Sequence, residues 1–414
     1  MFILVMKGLI LILLLTLTFD AIAQDSIPRR RRDYGYDVDT VPKLDLIDIF
    51  SKTFHIHSKK MPKKGDKKVY YSLVPIPTNI PGGGVALITS TNAAFYMGPR
   101  ASTNLSNVSF APSFSFRGRF SFSFYSNIWL TGNKDNVTGD MRFIINPQYT
   151  WGLGKGVPND QKELLYSNYF RFYQTWLHKI DGGKWMAGLG YMLDWYSAIR
   201  FTNNDSVSLA EFSHYEYGTQ SDRHSVSSGL TLNVQKDARQ NSINPQAGYY
   251  FSAVLRYNFR WLGSTDKWPS LYVDYRRYLH FGDTRSQNVL AFWGYYWTAL
   301  SNKTPYLDLP SIGWDPTTHS GRGITQNRYR GKGLLDLEAE YRRDITRNGF
   351  LGFVVFANMN AVTELDDYRF TAPHPAVGTG LRIKFNKRSN TNIAFDYGIS
   401  KSGSRFSMML GEAF

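Results

Sequence analysis

Residues 108–124, VSFAPSFSFRGRFSFSF, alternate between two kinds of side chain. Phenylalanines such as Phe110, Phe114 and Phe122 recur at every second position, and serine or arginine fills most of the positions between them. A period of two is the period of a β-strand, whose successive side chains point to opposite faces. A face of phenylalanine opposite a face of serine and arginine suits lipid on one side and water on the other. The stretch therefore predicts strands of a transmembrane β-barrel.

The first 23 residues have the features of a secretory signal peptide. Lys7 precedes the apolar run 8–19, and residues 21–23 supply small side chains at a cleavable end. The run stops at Asp20, short of the roughly 20 apolar residues that a membrane-spanning helix needs. The 414-residue chain contains no cysteine, which excludes disulfides and thiolate metal sites. We expect export, with the barrel in the outer membrane of a Gram-negative bacterium.

Residues 24–68 are predicted to form a basic periplasmic leader. Between positions 25 and 68 the chain carries 12 Lys or Arg against 7 Asp or Glu. The basic runs 29–32 and 59–68 would attract anionic headgroups or acidic partners, or else act as a solvated tether. A short amphipathic helix on the membrane or at the barrel mouth is expected between these runs, with an unstructured linker as the alternative. Its apolar positions are Leu44, Ile47, Phe50 and Phe54.

From residue 69 to residue 414 the chain is predicted to form the barrel, because turn signals separate about sixteen alternating runs. An even count is what single-chain outer-membrane barrels require. The longest connections are at 201–219, 301–330 and 362–375, and long loops face outward in such barrels. The predicted strands are 69–77, 83–97, 105–116, 120–131, 135–151, 163–179, 184–201, 220–237, 246–262, 267–282, 286–300, 331–344, 348–361, 376–387, 390–400 and 403–414.

The first and last strands are expected to meet in a weak seam. Pro75 and Pro77 lack the N–H groups that a ladder to the last strand needs, unless they precede the first strand in an entry turn. Each absent hydrogen bond weakens the ladder by roughly 1 kcal/mol. The last strand is predicted to end in Phe414 on its apolar face, and Gly411 leaves a weak point in it.

Three blocks of sequence, in order, resemble the BamA/TamA-like outer-membrane assembly-factor superfamily, also called the bacterial surface antigen family. The first resembles a periplasmic turn, the second the long loop before the twelfth strand, and the third the closing hairpin. Their residues are Asp237, Arg239, Asn241, Pro245 and Gly248 in the first; 309–313, 321–324, 328–331 and 340–342 in the second; and 378–382 with 396–398 in the third.

This resemblance implies that the loop at about 301–330 folds into the lumen and carries Arg322 and Gly323 to the wall. The planar fork of arginine can bridge several acceptors in a polar lumen, and glycine permits a close backbone approach. The family's partner for this arginine is an aspartate on the thirteenth strand, and Asn358 stands there in this chain. Glu338 or Glu340 can replace it. The aromatic residue that usually follows the Arg-Gly pair is Ile324 here.

The chain also departs from the family's assembly members. Their periplasmic POTRA domains have about seventy-five residues each, and the leader is too short for one. A patatin-type lipase also has no room here, and the sequence contains no Gly-x-Ser-x-Gly nucleophile elbow. We therefore expect any recruitment of unfolded clients to depend on another protein.

The sequence gives little sign of catalysis, so we expect no enzyme, no cofactor and no metal site. His55 and His57 lack a third ligand nearby, and Gly82–Gly84 is a turn without the lysine of a phosphate loop. Glu364, Asp366 and Asp367 could bind Ca²⁺ but are read as an exposed acidic tip.

Two classes of function remain open. One is an assembly factor that helps protein or lipid to enter or cross the outer membrane through the weak seam. The other is a passive pore, or a surface or structural barrel that acts only with a partner. Expected partners are lipopolysaccharide and phospholipid, with envelope proteins or client barrels, and no nucleic acid.

Overall fold

Antiparallel strands account for most of the residues that the computed structural model describes. The structure describes residues 42–53, 69–80, 84–99, 102–115, 119–145, 147–154, 160–180, 183–201, 207–220, 224–282, 286–366, 368–387 and 389–414. The strands are β1 (Val69–Ile80), β2 (Gly84–Phe95), β3 (Ser106–Ser115), β4 (Phe120–Trp129), β5 (Asp135–Ile145), β6 (Gln148–Thr150), β7 (Glu163–Lys179), β8 (Trp185–Phe201), β9 (Ser225–Asp237), β10 (Gly248–Asn258), β11 (Trp268–His280), β12 (Asn288–Ala299), β13 (Gly333–Asp344), β14 (Leu351–Val362), β15 (His374–Asn386), β16 (Thr391–Ser400) and β17 (Gly403–Leu410).

The described helices are short. They are α1 (Leu46–Thr53) and α2 (Leu209–Ser213), with single 3₁₀ turns at Thr131–Asn133, Arg260–Leu262 and Tyr306–Asp308. None of them has the length and apolar character needed to cross a bilayer.

Apart from β5, each strand from β1 to β16 pairs with the next one along the chain, so the sheet is an antiparallel meander. β5 ends at Ile145, β6 begins at Gln148, and both pair with β7. Counted as one interrupted strand, they give sixteen strand positions. The predicted sixteen-stranded antiparallel barrel is confirmed, and β14 is its thirteenth strand.

Alternation of side chains decides which face of the sheet meets lipid. In β3 and β4, Phe110, Phe114 and Phe120 are exposed on the outer face, while Ser113 is buried on the inner face. The same pattern recurs around the barrel, which therefore has an apolar exterior. Other large apolar side chains exposed on strands include Leu73, Leu87, Trp176, Leu189, Trp195, Leu230, Leu232, Val355, Val377 and Ile399.

Long connections gather at one end of the barrel, as they do outside the membrane in outer-membrane barrels. They join β6 to β7, β8 to β9, β12 to β13 and β14 to β15. We call this the outer end, and the end with the chain terminus of β17 the periplasmic end. Helix α1 lies at the periplasmic end, where the Leu44 N–H donates to the carbonyl of Asn348 and the Lys387 N–H donates to Asp45.

Most strand boundaries differ by a few residues from the sequence prediction, and two differences bear on the functional site. The last strand ends at Leu410, not at residue 414, because Gly411 takes a φ of +108° and turns the chain inward. The helix in the leader begins at Leu46, so Leu44 lies before it. The signal peptide 1–23, the rest of the leader, Phe54 and the tips of the first two hairpins lie outside the described residues. The division into signal peptide, leader and barrel stays a prediction.

Candidate functional site: the inward loop, its latch and the strand seam

The connection between β12 and β13 folds into the lumen. We call residues 301–332 the inward loop. Its side chains pack on two parts of the wall: Tyr306 and Leu309 share an apolar cluster with Tyr196 of β8, and Ile312 and Ile324 share another with inward residues of β12. Removing this apolar surface from water is the main force that can hold a long loop inside a barrel.

Within the inward loop, two chain segments run side by side like a short hairpin. Ser311 and Arg330 form a β-bridge, and the Ile312 N–H donates to the Tyr329 carbonyl over 3.0 Å. The Arg330 guanidinium closes the base by donating to the carbonyl of Tyr306 over 2.9 Å. The tip that carries Arg322 is therefore held by its own backbone as well as by the wall.

Arg322 reaches three carboxylates at once, and we call this set of ion pairs the latch. Its Nη2 lies 2.6 Å from Glu340 Oε2 and 3.3 Å from Glu338 Oε2, and its Nη1 lies 3.1 Å from Asp396 Oδ2. The guanidinium carbon also lies 4.0 Å from the centre of the Phe356 ring. All four charged side chains are buried. Breaking such a buried network by removing one partner typically costs about 3–5 kcal/mol.

The latch uses Glu338 and Glu340, which the sequence offered as replacements for the family's aspartate. Asn358 plays a different part, because its side-chain N–H donates to the backbone carbonyl of Arg322 over 2.8 Å. Asp396 was not assigned a role from the sequence. Its only signal was its place in the Asp-Tyr-Gly block of the predicted closing hairpin.

Gly323 lies against the backbone of β16. It has a φ of +91°, and a Cβ on it would come within 2.9 Å of the Gly398 carbonyl carbon. A Cβ on Gly398 would in turn meet the Gly323 Cα at 2.7 Å. The Ser400 hydroxyl donates to the Gly323 carbonyl over 2.9 Å. Two glycines thus bring the loop into direct contact with the wall.

Residues 411–414 lie inside the barrel, where the sequence predicted a strand end on the lipid face. Glu412 pairs with Arg382 over 2.7 Å and accepts a hydrogen bond from Asn392 over 2.6 Å. Phe414 is only 4% exposed, and its ring centre lies 5.3 Å from that of Trp293. Glu412 interrupts the apolar alternation of the last strand in the sequence, and a carboxylate at that position contradicts a lipid-facing end.

The inward end of the chain touches the latch directly. The carbonyl of Phe414 accepts a hydrogen bond from Arg342 over 2.7 Å, and Arg342 is ion-paired with Glu340. The guanidinium of Arg322 lies 5.9 Å from the centre of the Phe414 ring. A ring face attracts a cation, so Phe414 lies next to the latch and favours the charged guanidinium there.

The β9–β10 turn reaches across the periplasmic end of the lumen. Arg239 pairs with Asp237 over 2.7 Å, and the Asn241 side chain accepts the Ile243 N–H over 2.7 Å while donating to the carbonyl of Ser389 in the β15–β16 turn. Pro245 lies within this turn. Gly248 begins β10 with a φ of +103°, and a Cβ on it would come within 2.2 Å of the Ala238 carbonyl oxygen.

β1 and β17 form the seam. β1 pairs with β2 along its whole length, but no β-ladder joins β1 to β17 among the described residues. Pro75 and Pro77 lie inside β1, opposite Thr89 and Leu87, so the alternative of an entry turn is wrong. Proline has no N–H, so these two positions cannot donate to any partner strand. Met408 and Leu410 of β17 share an apolar cluster with Ile88 of β2.

The wall beside the seam carries no charge. None of the residues of β1, β2, β3 and β4 is Asp, Glu, Lys or Arg, and we call these strands the charge-free wall. β13–β16 form the latch wall, which supplies Glu338, Glu340 and Asp396. Between the charge-free wall and the inward loop lies a cavity of about 1350 Å³. Its lining includes Ser109, Ser113, Ser121 and Ser123 of the charge-free wall, with Phe406 and Met408 of β17.

Two buried groups of the inward loop have shifted pKa values. Burial alone would lower the pKa of Arg322, but Glu340, Glu338 and Asp396 raise it above its usual range, so the guanidinium stays charged. Burial and the nearby carboxylate of Asp194 raise the pKa of Asp308 to about 7.

Among the solved structures that this chain matches is a crystal structure of BamA from Haemophilus ducreyi lacking POTRA domains 1–3. The TM-score is 0.50 at 12% identity, over 88% of this chain and 77% of that one. The barrel has a BamA-like fold. CdiB from Acinetobacter baumannii also matches, with a TM-score of 0.53 at 13% identity over 83% of this chain. The match spans 60% of the CdiB chain, so it covers less than two thirds of that protein's length.

Sequence comparisons give no further match. No family model matches the chain. No curated protein matches it either.

Of the candidate chemical sites, His55 and His57 lie outside the described residues, as does Asp367. Asp366 is exposed in the 363–373 connection. No group of three or more His, Asp or Glu side chains with metal-binding geometry occurs in the described part of the chain.

Proposed function

We propose that this protein is an outer-membrane barrel that assists the insertion or translocation of protein or lipid by opening at the seam between β1 and β17. The observation that carries the proposal is the missing ladder between these two strands. A row of unpaired backbone groups is a template for another strand, and the apolar exterior beside it faces lipid.

The charge-free wall supports the proposal, because a wall without ion pairs to the inward loop can move at low cost. Displacing the latch wall would instead break buried ion pairs to Arg322 and leave uncompensated charges. Opening is therefore assigned to β1–β4, while the inward loop and the latch wall serve as the fixed side.

The lipid partners expected from the sequence fit the same arrangement. Helix α1 lies at the periplasmic end, its Leu46 packs in the cluster near β17, and its Ile47 is exposed. We assign α1 to the interface of the inner leaflet beside the seam. An amphipathic helix binds there through its apolar side chains.

The test is a set of cysteine pairs with one residue in β1 and one in β17, in a strain that lacks the native protein. The chain has no cysteine of its own, so there is no background. We expect the oxidised proteins to fail to restore outer-membrane protein or lipid composition and the reduced proteins to restore it. The matched control is a pair at Ala93 and Val108, which already face each other in the β2–β3 ladder and should function in either state. Full activity of the oxidised β1–β17 pairs would refute the proposal.

The cavity favours a passive pore as the second candidate function. Excising residues 301–330 should then raise the conductance of the barrel in a planar bilayer, and deletion of the protein should leave the envelope composition unchanged. An envelope defect without conductance would eliminate the pore.

A further inference from the structure

Beside the latch, three buried side chains have oxygen atoms without partners. Asp336, Asn358 and Asn360 are 0%, 4% and 1% exposed. Both carboxylate oxygens of Asp336 and the side-chain oxygens of Asn358 and Asn360 find no hydrogen-bond donor among the described residues. A buried carboxylate without a donor or a cation is costly, so such a group calls for an explanation.

The three side chains occupy one face of two neighbouring strands. Asp336 of β13 lies directly opposite Asn360 of β14, and Glu338 lies opposite Asn358. Alternation places all four side chains on the lumen side, whereas the side chains of their neighbours in sequence lie on the outer face. Directly opposite residues in an antiparallel pair have Cβ atoms about 4.5–5.5 Å apart. Asn358 lies diagonally across from Asp336, at the distance of about 7–8 Å that is typical of diagonal neighbours, so one small ligand between the strands can reach the unpartnered oxygens of all three side chains.

The amide nitrogens of this group are turned towards backbone carbonyls. Asn358 donates one N–H to the Arg322 carbonyl over 2.8 Å, and Asn360 donates one N–H to the His374 carbonyl over 3.4 Å. These bonds fix which end of each amide is the oxygen, and among the described residues no donor reaches those two oxygens or the carboxylate of Asp336. The atoms left without partners in this group are therefore all acceptors.

Nearby charges do not balance Asp336. The charged groups that act on it are the carboxylates of Glu338 and Asp315 and the guanidinium of Arg322. Arg322 is already ion-paired with Glu338, Glu340 and Asp396. The surroundings of Asp336 therefore have an excess of negative charge.

We propose that Asp336, Asn358 and Asn360 bind a hard metal cation of the Ca²⁺ class between β13 and β14, behind the inward loop. Ca²⁺ prefers carboxylate and amide oxygens and completes its shell with water. Asp336 is fully buried while the inward loop is docked. A cation that binds to the barrel only in this docked state shifts the equilibrium towards that state, so it stabilises the docked loop. This site is separate from the seam and does not depend on the proposed insertion function.

The full chain, purified in detergent after chelator treatment, tests this proposal by titration with Ca²⁺, Mg²⁺ and Na⁺. We expect Ca²⁺ to raise the unfolding midpoint, followed as heat-dependent mobility in gel electrophoresis, in a saturable manner. Asp336→Asn should abolish this shift, and Asn360→Leu should weaken the apparent affinity about tenfold. Asp366→Asn, which removes an exposed acid from a loop that was also considered for Ca²⁺, should retain the full shift.

A second measurement does not depend on stability. Tyr295 of β12 lies opposite Asp336, so it can sensitise Tb³⁺ luminescence that Ca²⁺ then displaces. Tb³⁺ emission in the wild type that is weakened by Asn360→Leu would support the site even if Asp336→Asn does not fold. The proposal would be overturned if none of the three cations changed the unfolding midpoint of the wild type and the wild type gave no Tb³⁺ emission. Asp336 would then be buried as a neutral, protonated carboxyl group. Loss of the shift in Asp366→Asn alone would move the site to that loop.

Discussion

The charge-free wall and the latch wall are built from the same kind of strand but are held in different ways. β1–β4 present serine and asparagine to the lumen and make no ion pair among the described residues. β13–β16 present Glu338, Glu340 and Asp396, which bind the inward loop through Arg322. One barrel thus combines a wall that is fixed by buried charges with a wall that has no ion pair to the inward loop, and the seam lies beside the second.

The largest effect is expected from Arg322→Ala, which would remove the difference between the two walls. It leaves Glu338, Glu340 and Asp396 buried without a cation, so the folded barrel should lose about 3–5 kcal/mol and the inward loop should become sensitive to protease. Heat-dependent gel mobility and limited proteolysis measure both. Arg260→Ala removes an exposed arginine paired with Asp266 and should cost at most about 1 kcal/mol. Equal losses in the two variants would mean that the latch does not fix its wall.

Gly323→Ala tests the close contact between the loop and β16. The new Cβ would meet the Gly398 backbone at 2.9 Å, and the φ of +91° adds strain, so we expect a loss of about 3 kcal/mol. Gly403→Ala has a φ of +126° but an open position, and it should cost only about 1 kcal/mol. The difference between the two unfolding midpoints isolates the clash. Equal unfolding midpoints for the two variants would show that the inward loop does not need the close contact between Gly323 and β16.

Asp308→Asn tests whether the other attachment of the loop depends on pH. The folded-state pKa of Asp308 is raised from 3.8 to about 7, so its contribution to loop stability is lost as pH rises from about 4 through 7. Asp194, Arg256, Arg171 and the Ser227 hydroxyl surround the carboxyl group. We expect the wild-type unfolding midpoint to fall between pH 5 and pH 8, and that of Asp308→Asn to fall less. Parallel curves for the two proteins would contradict the shift.

The smallest effect is expected at the seam itself. Replacing Pro75 and Pro77 together by valine restores two N–H donors to β1, each worth about 0.5–1.5 kcal/mol if it pairs with β17. The unfolding midpoint should rise slightly. Leu73→Val changes an exposed residue of the same strand without adding a donor and should have no effect. A fall in the midpoint of the double variant would indicate that the prolines stabilise β1 in another way.

Features that depend on near neighbours in the sequence were predictable. Strand alternation has a period of two, so the phenylalanines and serines of 108–124 indicate both faces without any knowledge of the fold. The missing charges of β1–β4 can be read directly from the sequence. The Arg-Gly pair at 322–323 was named because three blocks of the sequence resemble a known family, and Glu338 and Glu340 were named as replacements for the aspartate of that family.

The partners that complete the site could not be predicted, because they are distant in sequence. Asp396 lies 74 residues beyond Arg322, and Phe414 lies 72 residues beyond the arginine that donates to its carbonyl. The last strand was expected to continue to residue 414, since Phe414 has the parity of Phe406, Met408 and Leu410, although Glu412 interrupts this alternation. The positive φ of that glycine and the ion pair of Glu412 with Arg382 turn the chain inward instead.

The sequence by itself determined the sixteen-stranded barrel, its apolar exterior and the two missing N–H donors of its first strand, because these follow from periodicity and from the chemistry of proline. Only the tertiary structure decided which buried charges meet, where the end of the chain lies and which acceptors are left without a donor. Closing a barrel brings distant strands side by side, and the pairing of buried charges depends on that register rather than on their spacing along the chain.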